Sequence, residues 1–223
     1  MSEKPPTYVD FLGYRVDPAW RRLDSSARTE GARRFLAALD FPDVEVRPYL
    51  TAGLRADCDF VFWTISKDLA KLQDFACGLI RTELGRNLTL AHSWVAMTKP
   101  TPYSKAHQQH FEIAPQTARW LFIYPFTKTH EWYQLPIERR REMMEQHNEV
   151  GHRFPGVLIN TCYSFGLGDD DFMLAFEADD PKEFSDLVQQ LRESKARPYT
   201  RNDAPLMPCR RVTAEELIGM LAL

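Results

Sequence analysis

The sequence predicts an α+β protein in which two fused ferredoxin-like repeats form a dimeric α+β barrel. The first observation is length, because 223 residues are many for one domain and few for two. The second is that two distant segments of the chain resemble each other. The third is that strand-like and helix-like stretches follow the same order in both halves.

The two similar segments begin at Gly53 and at Gly166. Each starts with Gly-Leu, passes through acidic residues to Asp-Phe and an apolar strand, and then enters an amphipathic helix. Asp59 corresponds to Asp171, so the offset between the two halves is 112 residues. This match predicts an internal duplication.

The elements upstream of these segments also correspond. The first half gives "FLGYRVD", "SSARTEGARRFLAALD" and "VEVRPYLTAGL", and the second gives "WLFIYPFTK", "PIERRREMMEQHNEVGH" and "VLINTCYSFGL". Each set is a strand, a helix and an extended run, and Pro136 suits the first turn of its helix. With the strand and helix that follow, this is the ferredoxin-like order. We place the N-terminal half at 8–97, a linker at 98–118 and the C-terminal half at 119–223.

Composition narrows the functional classes. The net charge of −3 gives no general attraction to nucleic acid or to anionic membranes. No apolar run approaches the length of a transmembrane helix, and the first residues lack the apolar region of a signal peptide. Four cysteines without CxxC spacing are typical of reduced thiols. We therefore expect a cytoplasmic protein.

Several common sites are missing from the sequence. There is no GxGxxG, no P-loop and no GxSxG elbow. The acidic run at 168–171 could bind calcium, but its counterpart in the first half is "RADCD". A polar turn before a strand is the simpler interpretation.

The stretch "WLFIYPFTKTHEWY" places three polar-tipped side chains, Tyr124, Lys128 and Trp132, at intervals of four residues. Separately they have ordinary explanations: a strand-end tyrosine with a buried ring, a solvated lysine and a packing tryptophan. Together they could surround one ligand, with the lysine holding a carboxylate and the two aromatic residues serving as oxidisable neighbours.

Comparison of the two halves singles out His147, because the equivalent residue in the first half is Phe35. It lies in a helical stripe with Met143, Met144, Val150 and Gly151. A core histidine with a satisfied hydrogen bond is one interpretation. An axial ligand to a metal, most naturally a haem iron, is the other.

The linker contributes His107 and His110. They could bind a metal if that stretch is helical, although no cysteine or carboxylate completes a recognised zinc set. Either could be an exposed loop residue. A single histidine above a haem could instead take a proton from peroxide.

The motif "YPFTKTHEWYQLPIERRREMMEQH" resembles the core motif of the chlorite dismutase family, and most closely that of its coproheme decarboxylases, the peroxide-dependent haem synthases. "VDPAWRRL", "GLRADCDFVFWTIS", "WVAMTKPTPY" and "LAFEADDPKEFSDLVQQLRESKAR" are also similar to the family, so the resemblance runs from about residue 11 to 212. It implies two fused ferredoxin-like halves and a homopentamer.

The resemblance also implies residue roles. His147 matches the proximal haem ligand, and Tyr124 matches a tyrosine that forms a radical and attacks a propionate. Lys128 matches a lysine that contacts a propionate, and Trp132 a tryptophan near the porphyrin. His107 has the spacing of the distal histidine in actinobacterial decarboxylases.

Three further residues are assigned less directly. Asn160 stands where chlorite-degrading members carry a distal arginine, so the resemblance implies poor chlorite decomposition. His110 is a substitute distal base or a propionate neighbour. Ser194 and Arg197 lie where the family approaches the porphyrin edge, although exposed charges at a helix end are a simpler explanation.

The implied substrate is iron coproporphyrin III (coproheme), which acts as its own cofactor. Hydrogen peroxide would convert two of its propionates to vinyl groups, with haem b as product. Ferrochelatase is a candidate donor of the substrate. The alternative is a haem-binding or haem-transfer protein of the same family with weak peroxidase activity.

Overall fold

The computed structural model describes residues 5–103, 109–114 and 117–223. The chain divides into two compact units. One contains the residues up to Met97 together with Pro208–Leu223, and the other is Thr98–Met207.

The first unit contains the first repeat. Its elements are β1 (Tyr8–Val16), α1 (Ser25–Leu39), β2 (Glu45–Leu50), β3 (Phe60–Ser66), α2 (Leu69–Ile80) and β4 (Leu88–Met97). β1 pairs antiparallel with both β3 and β4, and β2 pairs with β3. The strand order β4–β1–β3–β2 is that of a ferredoxin-like sheet.

Among its described residues, the elements of the second unit are those of the second repeat and two short added α-helices. In chain order they are α3 (His110–Ile113), β5 (Trp120–Lys128), α4 (His130–Gln134), α5 (Ile137–Gly151), β6 (Leu158–Tyr163), β7 (Phe172–Ala178), α6 (Pro181–Leu191) and β8 (Thr200–Asn202). β5 pairs with β7 and β8, and β7 pairs with β6. The order β8–β5–β7–β6 matches the first repeat.

The chain then returns to the first unit through β9 (Met207–Arg211) and α7 (Ala214–Leu221). Tyr49 and Leu50 of β2 pair with the end of β9. Leu217 and Leu221 of α7 lie in the core of the first unit. The predicted C-terminal half, 119–223, includes this segment.

The duplication is confirmed by the element bounds. β5, α5 and β7 begin and end 112 residues after β1, α1 and β3. The loops before β3 and β7 each contain a glycine with positive φ, +81° at Gly53 and +72° at Gly166. Asp68 and Asp180 cap the second helix of each repeat by accepting a backbone N–H. The α+β class and the two ferredoxin-like repeats therefore agree with the prediction.

The first repeat has a continuous aromatic and aliphatic core between helices and sheet. Phe35 of α1 stacks on Phe62 of β3 with ring centroids 6.1 Å apart, and both are fully buried. Leu12, Val16 and Trp20 belong to the same cluster. Each buried side chain of this size contributes about 1.5–3 kcal/mol, so the interface is a main source of this unit's stability.

Three of the four cysteines are buried, as expected for small apolar side chains: Cys58, Cys162 and Cys209. Cys77 is exposed. Among the described residues, no helix combines the length and apolar character needed to span a membrane.

Candidate functional site

Tyr124 lies on the face of the second sheet that α5 and α6 cover. The antiparallel registers place Tyr124 opposite Leu174 and Leu174 opposite Thr161, so these three side chains share that face. Val150 of α5 and Tyr124 belong to one core cluster. Leu174 and Thr161 are only half-buried, so part of this face remains accessible to solvent.

The Tyr124 ring stacks on Phe176, with centroids 5.8 Å apart and planes 6° from parallel. Burial, together with the negative charge of Asp203, raises the pKa of its hydroxyl, while Arg192 and Arg197 oppose that increase. The phenol is therefore protonated at neutral pH. Its ring is fixed by stacking, and ionised side chains lie around it.

Lys128 is the last residue of β5, and its ammonium group is enclosed. Nζ lies 4.4 Å from the ring centroid of Trp132 and 5.1 Å from that of Phe126. It also donates to the carbonyl of Ala196 at 3.4 Å. Two aromatic faces hold the cation by cation–π attraction and leave it little water.

Trp132 lies in α4, and its side chain is 2% exposed. Its ring contacts Tyr199 at 5.6 Å and Tyr103 at 6.4 Å, centroid to centroid. The backbone N–H of Thr129 donates to the carbonyl of Tyr199 at 2.9 Å and fixes the corner between β5 and α4. Trp132 therefore packs against two tyrosine rings and also forms one of the aromatic faces around the Lys128 ammonium group.

His147 lies on the inner face of α5, between the buried side chains of Met143 and Val150. Further along the same face, Gly151 lies against Ile159 of β6, where an added Cβ would be 3.7 Å from Cδ1. No described residue hydrogen-bonds to the imidazole of His147. The predicted stripe is confirmed, but the satisfied hydrogen bond of an ordinary core histidine is not found among these residues.

The electrostatics keep the histidine neutral and the lysine charged at neutral pH. Burial, and then the charge of Lys128, lowers the pKa of His147 to about 4. Burial and the charge of Arg197 lower the pKa of Lys128 to about 8, against the opposing effect of Asp171. A neutral imidazole has a free lone pair for a metal, and a desolvated ammonium attracts anions strongly.

Arg192 and Arg197 add positive charge beside Tyr124. Nη1 of each contacts Oδ2 of Asp203, at 2.9 Å from Arg192 and 2.5 Å from Arg197. Ser194 is buried, and its carbonyl accepts the Arg197 backbone N–H at 3.0 Å. Ser194 also borders a surface cavity of about 520 Å³ between α5 and α6.

Asn160 and His110 form a separate group. Asn160 pairs with Ala175 in the sheet and therefore points to the face opposite Tyr124. Its amide donates to Glu177 Oε1 at 3.0 Å and accepts the Phe111 backbone N–H at 3.0 Å. The His110 Nδ1 atom lies 3.8 Å from the same carboxylate oxygen. The structure does not bring these two residues together with His147.

His107 lies outside the described residues. Within the described part of the chain, no three histidine, cysteine, aspartate or glutamate side chains cluster as metal ligands. The acidic turn at 168–171 is structural. Asp170 accepts from the Thr127 hydroxyl at 2.6 Å, and Asp171 accepts from Tyr133 at 2.6 Å and from the Lys128 backbone at 2.8 Å.

These side chains fit an iron porphyrin that carries carboxylates. One neutral imidazole can ligate the iron from one side. The Lys128 ammonium and the two guanidinium groups can bind propionates, with the Tyr124 phenol close to the arginines. Trp132 supplies an aromatic surface beside the lysine.

The fold and this site define a haem-associated α+β protein, and the comparisons with known proteins identify its family. Residues 26–212 match the family model described as Chlorite dismutase. The chain is 35% identical to the coproheme decarboxylase of Mycolicibacterium smegmatis over 96% of this chain and 94% of that protein. The chain belongs to the chlorite dismutase family.

Two further comparisons agree. A mutant chlorite dismutase structure from Candidatus Nitrospira defluvii superposes with a TM-score of 0.91 at 22% identity, covering 100% of this chain and 97% of that one. At that identity the likeness concerns the fold alone. A Halobacterium salinarum protein that is named for heme binding is 28% identical to this chain, over 86% of this chain and 45% of that protein.

Sequence reasoning missed Arg192 and Asp203. Arg192 was visible only as part of the charged run "RESKAR", where helix-end charges are usually solvated. Asp203 lies in the irregular segment between β8 and β9 and shares no spacing with Tyr124. The stacking partner of Tyr124, Phe176, was visible only as one residue of an apolar strand.

Proposed function

We propose that this protein catalyses the peroxide-dependent oxidative decarboxylation of two propionates of iron coproporphyrin III to vinyl groups, giving haem b. The observation that carries the proposal is the site itself. A neutral His147, a desolvated Lys128 cation and a stacked, protonated Tyr124 occur together in the second repeat. The decarboxylase from M. smegmatis, similar over nearly the whole chain, supports the same reaction.

The stoichiometry requires one peroxide for each propionate. A propionate loses two electrons and one proton when it becomes a vinyl group and carbon dioxide. Hydrogen peroxide takes up two electrons and two protons and becomes two waters. The net step consumes one carboxylate, one peroxide and one proton. The iron porphyrin, as substrate, supplies the redox centre through which peroxide acts.

The chain contributes ligation, positioning and hydrogen transfer. His147 would donate a nitrogen lone pair to the iron, and Lys128 would hold the reacting carboxylate. Tyr124 would lose its phenolic proton and give an electron to the redox centre that peroxide has oxidised, and the resulting radical would take a hydrogen atom from the β-carbon of the propionate. The substrate radical would then give its second electron to the same redox centre as carbon dioxide leaves and the vinyl group forms. Stacking on Phe176 fixes the direction of the phenol, which favours one propionate over the others.

The distal side is assigned from the family resemblance. We propose His107 as the base that takes a proton from peroxide, with His110 as the alternative. Asn160 is uncharged and its side chain lies on the sheet face opposite Tyr124, so it supplies no positive charge where the resemblance places a distal arginine, and we expect poor chlorite decomposition. We also propose a homopentamer, a cytoplasmic location and delivery of coproheme by ferrochelatase.

The test is to mix the purified protein with iron coproporphyrin III, titrate in hydrogen peroxide and follow the porphyrin mass. We expect two successive decarboxylations that end at haem b. A bound porphyrin of unchanged mass that bleaches under peroxide would replace this proposal with a haem-binding function. A protein that develops no Soret band with the porphyrin would exclude both.

A further inference from the structure

The carboxylate of Asp203 stands where two arginines beside Tyr124 meet. A single oxygen, Oδ2, contacts Nη1 of Arg192 at 2.9 Å and Nη1 of Arg197 at 2.5 Å. The Asp203 side chain is 23% exposed, whereas Arg192 is 48% exposed. The carboxylate is therefore less accessible than one of the cations that it neutralises.

This ion cluster belongs to the proposed reaction site. The charges of Asp203, Arg192 and Arg197 all act on the Tyr124 hydroxyl, and that of Arg197 also acts on Lys128. Two guanidinium groups thus act on the phenol, and one of them also acts on the ammonium, while Asp203 cancels one positive charge. The Lys128 ammonium donates to the carbonyl of Ala196, the residue that precedes Arg197, so a propionate bound by Lys128 would lie near the guanidinium that Asp203 contacts.

The loop that holds Asp203 is fixed independently of its carboxylate. The Asn202 amide donates to the Ala204 carbonyl at 3.1 Å, and the Ala204 backbone N–H donates to the Asn202 side chain at 3.3 Å. Asn202 also donates to Asp170 at 3.1 Å. The loop can keep its conformation when the Asp203 charge is removed.

We propose that Asp203 is an internal competitor of porphyrin carboxylates, which keeps the affinity for coproheme moderate and promotes release of the decarboxylated product. It pairs with Arg192 and Arg197 in the free protein and yields them to a propionate of the bound substrate. It reclaims them once that propionate has become a vinyl group. This inference rests on the proposed function.

The exchange is physically inexpensive, because one carboxylate replaces another and neither guanidinium is left unpaired in a partly buried place. A vinyl group cannot compete for the arginines. Asp203 therefore weakens substrate binding modestly and favours departure of the product. Without its charge, the arginines would hold the remaining carboxylates of either porphyrin.

The experiment compares the wild type with Asp203→Asn by Soret titration of iron coproporphyrin III and of haem b at several salt concentrations. We expect Asp203→Asn to lower both dissociation constants by about fivefold, with a steeper salt dependence. Haem b should also dissociate more slowly. Asp203→Glu, which restores a carboxylate, should bind as the wild type does.

Asp186→Asn is the matched control, because Asp186 forms an exposed pair with Lys182 on α6 and the substitution makes the same change in net charge. Affinity of Asp203→Asn equal to this control, or weaker than wild type, would overturn the inference. Weaker binding would mean that Asp203 merely supports the arginines. If the wild type binds no iron coproporphyrin, the proposed function fails together with the inference.

Discussion

The two repeats use one framework for different purposes. In the first, Phe35, Leu12 and Val16 are each at most 2% exposed and close the space between helices and sheet. In the second, the residues 112 positions later are His147, Tyr124 and Lys128, and both His147 and Lys128 are half-buried. A packed core and a polar site therefore occupy equivalent places.

A replacement in the sheet accompanies the change from Phe35 to His147. Phe62, fully buried in the first sheet, is replaced by the smaller and half-buried Leu174 in the second. The aromatic contact between Phe35 and Phe62 is thereby lost, and the histidine takes its place. The second repeat is therefore less closely packed at this place than the first, whereas Trp20 in the first repeat and Trp132 in the second are both buried.

The largest expected effect comes from truncating the equivalent helix positions. Phe35→Ala should lower the free energy of unfolding by about 3–5 kcal/mol, because it leaves a cavity in a closed core. His147→Ala should cost less than about 2 kcal/mol, since its site is already partly open. Urea denaturation of the porphyrin-free variants tests this, and equal losses would mean that both positions are packed alike.

The same His147→Ala variant also tests ligation. It should weaken binding of ferric coproporphyrin at least tenfold and change its ferric absorption spectrum, since the iron would lose its axial nitrogen. Phe35→Ala, measured under conditions in which it is folded, should leave that spectrum unchanged. A His147→Ala spectrum identical to wild type would remove the axial assignment.

Acid should weaken the second repeat through His147. Its pKa is about 4 when folded and near 6.5 when unfolded, so the unfolded state binds more protons between these values. Stability from this group is complete above pH 6.5 and falls by up to about 3 kcal/mol as pH drops to about 4. Denaturation of wild type and His147→Phe across this range isolates the contribution, and parallel pH profiles would contradict it.

Tyr124→Phe should bind coproheme normally but reduce vinyl formation at least about a hundredfold, because the ring still stacks while the phenolic hydrogen is gone. Mass spectrometry of the porphyrin after peroxide measures this. Tyr133→Phe, which removes a hydroxyl bonded to Asp171, is the control and should stay active. An active Tyr124→Phe enzyme would show that the strand-end tyrosine is only packing.

Lys128→Met should have the smallest effect, a loss of about tenfold in coproheme affinity at neutral pH. In the wild type, the affinity for coproheme should be lower above about pH 8 than at neutral pH, because the Lys128 ammonium loses its proton. The variant should lack that decline. Soret titrations with Lys182→Met as an exposed control would check both, and a pH dependence that persists without Lys128 would assign it to another group.

The sequence was most informative where repetition supplied a reference. The offset of 112 residues predicted β5, α5 and β7, and it isolated His147 because Phe35 stood in the equivalent place. Asn160 is assigned to the distal side only by the family resemblance, as the residue that stands where chlorite-degrading members carry an arginine. Strand alternation sends its side chain to the opposite face, and a difference of one residue decides that outcome.

Other features could not be predicted for physical reasons. The short α4 follows β5 without a hydrophobic period of its own. Arg192 and Asp203 meet through a turn, so their contact depends on loop conformation rather than on a repeating pattern. β9 and α7 lie in the first unit, where the end of β9 pairs with β2. This pairing cannot be predicted from the residues of β9 and α7 alone.

The return of the chain to the first unit affects the order of synthesis. A ribosome makes residues 98–206 before β9 and α7, so the edge of β2 that pairs with the end of β9 stays uncovered while the second unit is made. The unit that carries the candidate site can therefore fold while its partner is still incomplete. An open strand edge promotes aggregation, so the nascent first unit depends on rapid completion of its last sixteen residues, Pro208–Leu223.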